Sequence, residues 1–220
     1  MTKNYFSYHL FSRLSIGLLF ISLCCSGWAA DKYEDAKLNV NNQYEPILRL
    51  INERFPSNQS AFDNDPQLLA EFLNQHVRVH WDASSTTSAL IGKETFLKLA
   101  PDQKQRLVAA VDQTLLRYAM EGYQFYNGQH FKLAHIAISS SGNMGWLKIL
   151  MESPIIPDLN LELLIKRNQQ GVWKAVDVRF KGITYVAIKK HLHRRLIKKK
   201  GIDGLIDNLT SKNRDFFEAM

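Results

Sequence analysis

The chain has 220 residues, 28 Lys and Arg against 21 Asp and Glu, a formal charge of +7 and only two cysteines. Both, Cys24 and Cys25, fall in the N-terminal leader, so the chain beyond it has no disulfide, no thiol nucleophile and no cysteine-ligated metal. Without the leader the balance is 26 cations to 21 anions, a net +5 that suits anionic surfaces and is too small to argue for nucleic acid.

Lys3 and Arg13 are the only charges before Asp31. Leu14 to Cys25 is an almost unbroken apolar run, followed by small residues at Ser26, Gly27, Ala29 and Ala30. This order is that of a secretory signal peptide, predicted over residues 1–29. The run falls short of the roughly 20 residues that span a bilayer. Cleavage after Ala29 puts Gly27, not bulky Trp28, at the third position before the cut. Leu23 is too bulky for the usual site of an acylated Cys24. Residues 30–220 are of a size for one domain.

The helical half comes first. Tyr44, Ile47, Leu48, Ile51 and Phe55 recur at helical spacing, and Pro56 is predicted to stop that helix. Asp65-Pro66 opens a second helix with Leu68, Leu69, Phe72 and Val77 on one face. Short helical pieces are expected near Thr87 to Ile91 and Glu94 to Leu99. Pro101 opens what reads as the longest helix, striped by Leu107, Val108, Val111, Leu115 and Tyr118 and ending near Gly122.

The middle reads as four strands, Phe131–Ser139, Met144–Glu152, Asp158–Arg167 and Val172–Phe180, joined by turn-rich links. Pairing Arg167 with Val172, Glu152 with Asp158 and Ser139 with Met144 tests the register. Leu163 then faces Val176, Leu161 faces Val178, Leu147 faces Leu163, Ile149 faces Leu161, Ile136 faces Leu147 and Ala134 faces Ile149. Three turns place one aliphatic set on one face. The other face, with Trp146, Leu150, Leu164, Trp173 and Ala175 among Lys148, Glu162 and Asp177, is semi-polar. The prediction is an α+β fold, a four-stranded antiparallel meander packed against several helices. Its apolar face is either a filled core or the wall of a pocket.

After Gly182 comes another helix. Ile188, Leu192 and Leu196 are expected to pack inward and to leave Lys189, Lys190, Arg194, Arg195, Lys198 and Lys199 outside. That basic run is either a solvated face or a docking surface for an anionic membrane or an acidic partner. Gly201 interrupts, and Ile202, Leu205, Ile206 and Leu209 form a last short helix.

The residues that carry chemistry elsewhere are weak here. His76 and His80 sit one helical turn apart with no metalloprotease glutamate beside them, so no metal site is predicted. Ser139-Ser140-Ser141-Gly142 lacks the glycine pattern of a nucleophile elbow and reads as a turn. Asp177 suits a structural role, pairing Arg179 or capping a backbone amide. No catalytic residue is assigned.

Several stretches are similar to one family. Trp173-Lys-Ala-Val-Asp177-Val-Arg-Phe-Lys-Gly182-Ile-Thr-Tyr-Val-Ala and Gly201-Ile-Asp-Gly-Leu205-Ile-Asp-Asn-Leu209 resemble the C-terminal signature of the MlaC/toluene-tolerance family. Ala89-Leu-Ile-Gly92 and Pro101-Asp-Gln resemble its N-terminal half. The likeness covers roughly Asn52 to Lys212. At Ile188-Lys189-Lys190 the family commonly has Asn-Tyr-Arg, so the planar fork of an arginine is absent there.

The resemblance implies a periplasmic phospholipid carrier, not an enzyme. Its cargo is a bound phospholipid, and it needs no cofactor. Its partners would be an inner-membrane ABC transporter complex and an outer-membrane lipoprotein complex, with transient membrane contact and no nucleic acid. On this reading Leu147, Ile149, Leu161, Leu163, Val176 and Val178 line the acyl-chain pocket, and Val111 and Leu115 close it. The rival readings are a secreted adaptor without a lipid cavity and a secreted hydrolase.

Overall fold

The computed structural model describes residues 24–153 and 157–220; the predicted leader up to Leu23 lies outside them. Helix α1 (Cys24–Asn64) is followed by α2 (Pro66–His76), a 3-10 turn at Arg78–His80, α3 (Ala83–Ile91), α4 (Lys93–Leu97) and α5 (Pro101–Tyr123). Strands β1 (His130–Ile138), β2 (Met144–Glu152), β3 (Leu159–Arg167), β4 (Trp173–Phe180) and β5 (Ile183–Thr184) form one antiparallel sheet in chain order, and α6 (Tyr185–Glu218) closes the fold. The architecture is α+β, as expected, with a two-residue fifth strand that the sequence reading lacked.

The longest helix is α1, with 41 residues against 23 in α5. It runs through Pro46 and Pro56, so Pro56 does not stop it. A proline inside a helix costs about 3 kcal/mol. Both rings face solvent, and packing on the opposite side offsets the loss. Ala36, Val40, Tyr44 and Leu48 recur every four residues and bury against the sheet. Phe55 and Phe62, a further seven and fourteen residues on, bury against α2 and α5. One helix thus spans two clusters of the core.

In the second cluster Phe55 sits at the centre of an aromatic group. Tyr123 meets it edge-on at 5.0 Å, and Tyr126 and Phe131 lie at 5.2 and 6.2 Å. A third cluster joins Leu90, Ile91, Phe96, Leu107, Ala110 and Val111 to Leu205, Ile206 and Leu209 of α6. There Asn213 donates to the Ala110 carbonyl at 2.9 Å, and Thr114 donates to the Asn213 amide oxygen at 3.1 Å. Gly201, with φ 71°, breaks α6 into two helical pieces at a kink.

The register of β2 with β3 is as predicted: Met151 faces Leu159, Ile149 faces Leu161 and Leu147 faces Leu163. The other two pairings each carry a bulge. In β1 the shift falls at Ala134, so Leu133, not Ala134, faces Ile149, while Ile136 still faces Leu147. In β4 it falls at Val176, so Leu163 faces Val178, Leu161 faces Phe180 and Ile165 faces Ala175. A bulge inserts one residue and reverses the alternation. It therefore moves Trp173 and Ala175 from the expected outer face to the inner one.

Groups from α3 and the preceding turn satisfy the β4 bulge. Thr86 Oγ1 donates to the Val176 carbonyl at 2.7 Å and accepts from Trp81 Nε1 at 2.8 Å. Asp82 caps α3 by accepting from Ser85 N at 2.9 Å, and its own N–H donates to the Ala175 carbonyl at 2.8 Å. Asp177 Oδ1 accepts from Val178 N at 2.9 Å and Val186 N at 3.1 Å, tying β4 to the first turn of α6. Its role is the backbone-capping one, while Arg179 pairs with Glu162.

Candidate functional site

The inner face of the sheet and α1 form one apolar seam. Leu147, Ile149, Ile165 and Trp173 are buried there against Ala36, Val40, Tyr44 and Leu48. Burial fades toward one end: Leu161, Leu163 and Val178 are half-buried and Phe180 is exposed. The seam is closed at its centre and thinly covered where β3 starts and β4 ends.

Two amide clamps hold α1 on the sheet. Gln43 Nε2 donates to the Trp173 carbonyl at 2.6 Å, and its Oε1 accepts from Trp173 N at 3.0 Å. Asn52 Nδ2 donates to the Phe131 carbonyl, and its Oδ1 accepts from Phe131 N, both at 2.8 Å. Phe131 lies near the start of β1 and Trp173 starts β4, at opposite corners of the antiparallel meander. The helix therefore crosses the sheet diagonally, and each clamp satisfies backbone groups that no neighbouring strand pairs. Tyr44 OH reaches the Trp173 carbonyl at 3.4 Å, and burial raises its pKa.

Of the eight residues predicted to bind acyl chains, the structure brings Leu147, Ile149, Leu161, Leu163 and Val178 together at this seam. Val176 is buried at the bulge, out of line with them. Val111 is buried among α3, α4, α5 and α6, and Leu115 packs against that same cluster. Their helix does not close the sheet face; α1 does. The residues that sequence reasoning missed are Tyr33, Ala36 and Val40 on α1, Phe131 and Leu133 on β1, and Trp173. The four-residue spacing from Ala36 to Leu48 was the available signal.

Two open grooves lie elsewhere. One of about 880 Å³ is lined by Arg78, Asp82, Lys104, Val108, Asp112 and Lys174, and one of about 540 Å³ by Arg106, Gln113, Ile206, Asp207, Asn213 and Phe217. None of the eight predicted residues lines either. His76 ends α2 while His80 belongs to the 3-10 turn, so the two do not share a helix. The His76 ring packs on Phe72 at 5.0 Å and His80 lies 6.2 Å from Tyr44. Ser139 to Asn143 is a hairpin turn, with Ser139 N donating to the Met144 carbonyl at 2.8 Å.

The basic helix is rotated from its expected phase. Tyr185, Val186, His193, Leu196 and Ile197 face inward, whereas Ile188 and Leu192 are exposed. Asp177 fixes the first turn, and Tyr185 then meets Tyr118 edge-on at 5.6 Å. Lys189 is drawn over the Tyr118 ring at 5.1 Å, while Arg194, Arg195, Lys198 and Lys199 stay exposed. Five aromatic and aliphatic groups inward outweigh the narrow Ile188-Leu192-Leu196 stripe.

Burial, with Lys189 and Lys212 nearby, lowers the His193 pKa to about 4. The folded value lies below the unfolded one, near 6.5. The unfolded chain therefore binds the extra proton between these values, and stability falls as pH drops below 6.5. His193→Phe is expected to remove this component, about 1 kcal/mol by pH 5 once partial solvent screening is allowed for. Urea unfolding at pH 7 and pH 5 checks it: the parent loses more stability than the variant.

A family model described as the MlaC protein matches residues 49–211. Among solved structures, the phospholipid-binding protein from Ralstonia solanacearum in complex with a phospholipid is similar, with a TM-score of 0.67 and 16% identity. The likeness covers 82% of this chain and 98% of that one, and at such identity it is a likeness of fold.

Proposed function

We propose that this chain, which belongs to the MlaC family, is a phospholipid-binding transport protein whose seam between α1 and the sheet receives the acyl chains. It works in the periplasm after loss of residues 1–29 and moves lipid between outer-membrane and inner-membrane complexes. The observation that carries the reading is the graded inner face, from buried Leu147 and Ile165 through half-buried Leu161, Leu163 and Val178 to exposed Phe180. The phospholipid complex of the Ralstonia solanacearum protein supports it.

The energetics suit a carrier. Each methylene moved from water into the seam contributes about 0.8 kcal/mol. Without cargo, α1 keeps the same face dry. A tail that displaces part of α1 then exchanges one set of apolar contacts for another. The net gain on loading is therefore smaller than the full transfer of the tail from water. The reading asks for no covalent chemistry.

Native mass spectrometry of protein recovered from the periplasm tests the reading. The expected species begins at Ala30, carries no acyl group on the chain and holds phospholipid that organic extraction releases. Protein recovered without lipid, or acylated at Cys24 or Cys25, would contradict it.

A further inference from the structure

The four large apolar side chains that surround the start of α6 are exposed together. Phe180 and Ile183 face each other across the β4–β5 turn and are 42% and 57% exposed. Thr184 caps α6 by accepting from Ala187 N at 3.1 Å. Ile183 thus precedes the cap and Ile188 is the fourth helical residue, the two positions that a hydrophobic staple brings side by side. Ile188 is 53% exposed, and Leu192, one turn further along, is 47% exposed. Single exposed aliphatics are ordinary, but a contiguous run of them marks an interaction surface.

Along the chain, the charge of this segment has one sign. From Lys181 to Gly201 there is no Asp or Glu, and there are eight Lys and Arg. Arg195 and Lys199 lie seven residues beyond Ile188 and Leu192, so they continue the same stripe of the helix. Apolar tips at one end, with cations continuing the same stripe, match an anionic bilayer: the tips fit the headgroup layer and the cations fit its phosphates. An acidic protein surface would answer the cations but would leave the four apolar groups unmatched.

The run is also continuous with the seam. Phe180 faces Leu161, and Leu163 faces Val178, on the inner face of the sheet. We propose that the Lys181–Gly182 turn and the outward stripe of α6 dock on anionic phospholipid bilayers. Phe180, Ile183, Ile188 and Leu192 enter the headgroup layer while Arg195 and Lys199 meet lipid phosphates. The thin end of the seam is then held at the membrane. This deepens the carrier reading by naming the surface through which it meets lipid, and its test does not depend on cargo.

Flotation of the full mature chain with phosphatidylcholine vesicles, with and without 30% phosphatidylglycerol, tests the proposal. Binding is expected on the anionic vesicles and only weakly on the neutral ones. Each cation near an anionic surface contributes about fivefold to partitioning, so Arg195→Gln with Lys199→Gln is expected to reduce binding roughly 25-fold and to weaken its salt dependence. Ile188→Gln with Leu192→Gln is expected to reduce it about tenfold or more at unchanged circular dichroism. Leu192→Gln alone leaves the capped first turn untouched and replaces the double variant if that unfolds. Equal binding of the parent to both vesicle types would overturn the proposal. So would apolar variants that bind as the parent does, even with the charge variant impaired, because the surface would then be electrostatic without insertion.

Discussion

Trp173→Ala is expected to lower the thermal unfolding midpoint of the lipid-free protein by roughly 6–20 °C. Trp173 is 1% exposed and packs in the cluster that α1 forms with the sheet. Truncating a buried aromatic costs about 3–5 kcal/mol, and in a chain of this size each kcal/mol shifts the midpoint by about 2–4 °C. The backbone clamp from Gln43 remains in the variant, so the loss reports packing and not hydrogen bonding. Trp173→Phe is expected to cost less, because the indole N–H has no hydrogen-bond partner to lose. The comparison needs protein without cargo, since bound lipid adds its own stabilisation. A midpoint unchanged in Trp173→Ala would mean that α1 does not rest on the sheet as described.

Leu163→Trp is expected to remove most of the co-purifying phospholipid while the chain stays folded. Leu163 faces Leu147 on one side and Val178 on the other, in the half-buried part of the seam. A larger ring there takes the space that an acyl tail would use. In a filled core the same change would act as overpacking and destabilise the fold by about 1–3 kcal/mol. Extracted lipid per protein, read beside the urea midpoint, separates the two. Normal lipid content in a stable variant would move the binding site away from this face.

The residue pattern explains which parts of the sheet could be read from sequence. Strands β2 and β3 alternate without interruption, so a single turn pairing gave every partner correctly. In β1 the inward residues change phase, from Phe131 and Leu133 to Ile136 and Ile138. In β4 the change runs from Trp173 and Ala175 to Val178 and Phe180. A strand can keep both sets on one face only by inserting one residue, which is what the bulges at Ala134 and Val176 do. The phase change was visible in the sequence. Its position in β4 depends on Thr86, ninety residues earlier, whose hydroxyl answers the bulged carbonyl.

The helices were legible as periodic stripes but not as neighbours. The Leu107-Val111 stripe of α5 is real, yet it meets α6 and not the sheet. Periodicity names a buried face without saying what covers it. Pro56 suggested a stop in α1 because local propensity was read without the aromatic group that Phe55 and Phe62 enter. In α6 the inward phase follows from Asp177 holding the first turn and from a histidine accepted into the interior, and neither feature belongs to an aliphatic count.

Site-specific photo-crosslinking reads out whether acyl chains lie between α1 and the sheet. A photoreactive amino acid placed at Leu161 faces the thin part of the seam, and one placed at Leu115 faces the cluster of α3, α5 and α6. After irradiation of protein loaded in the periplasm, a chain-plus-phospholipid mass is expected from the Leu161 position and the unmodified mass from the Leu115 position. A lipid adduct from Leu115 with none from Leu161 would contradict it.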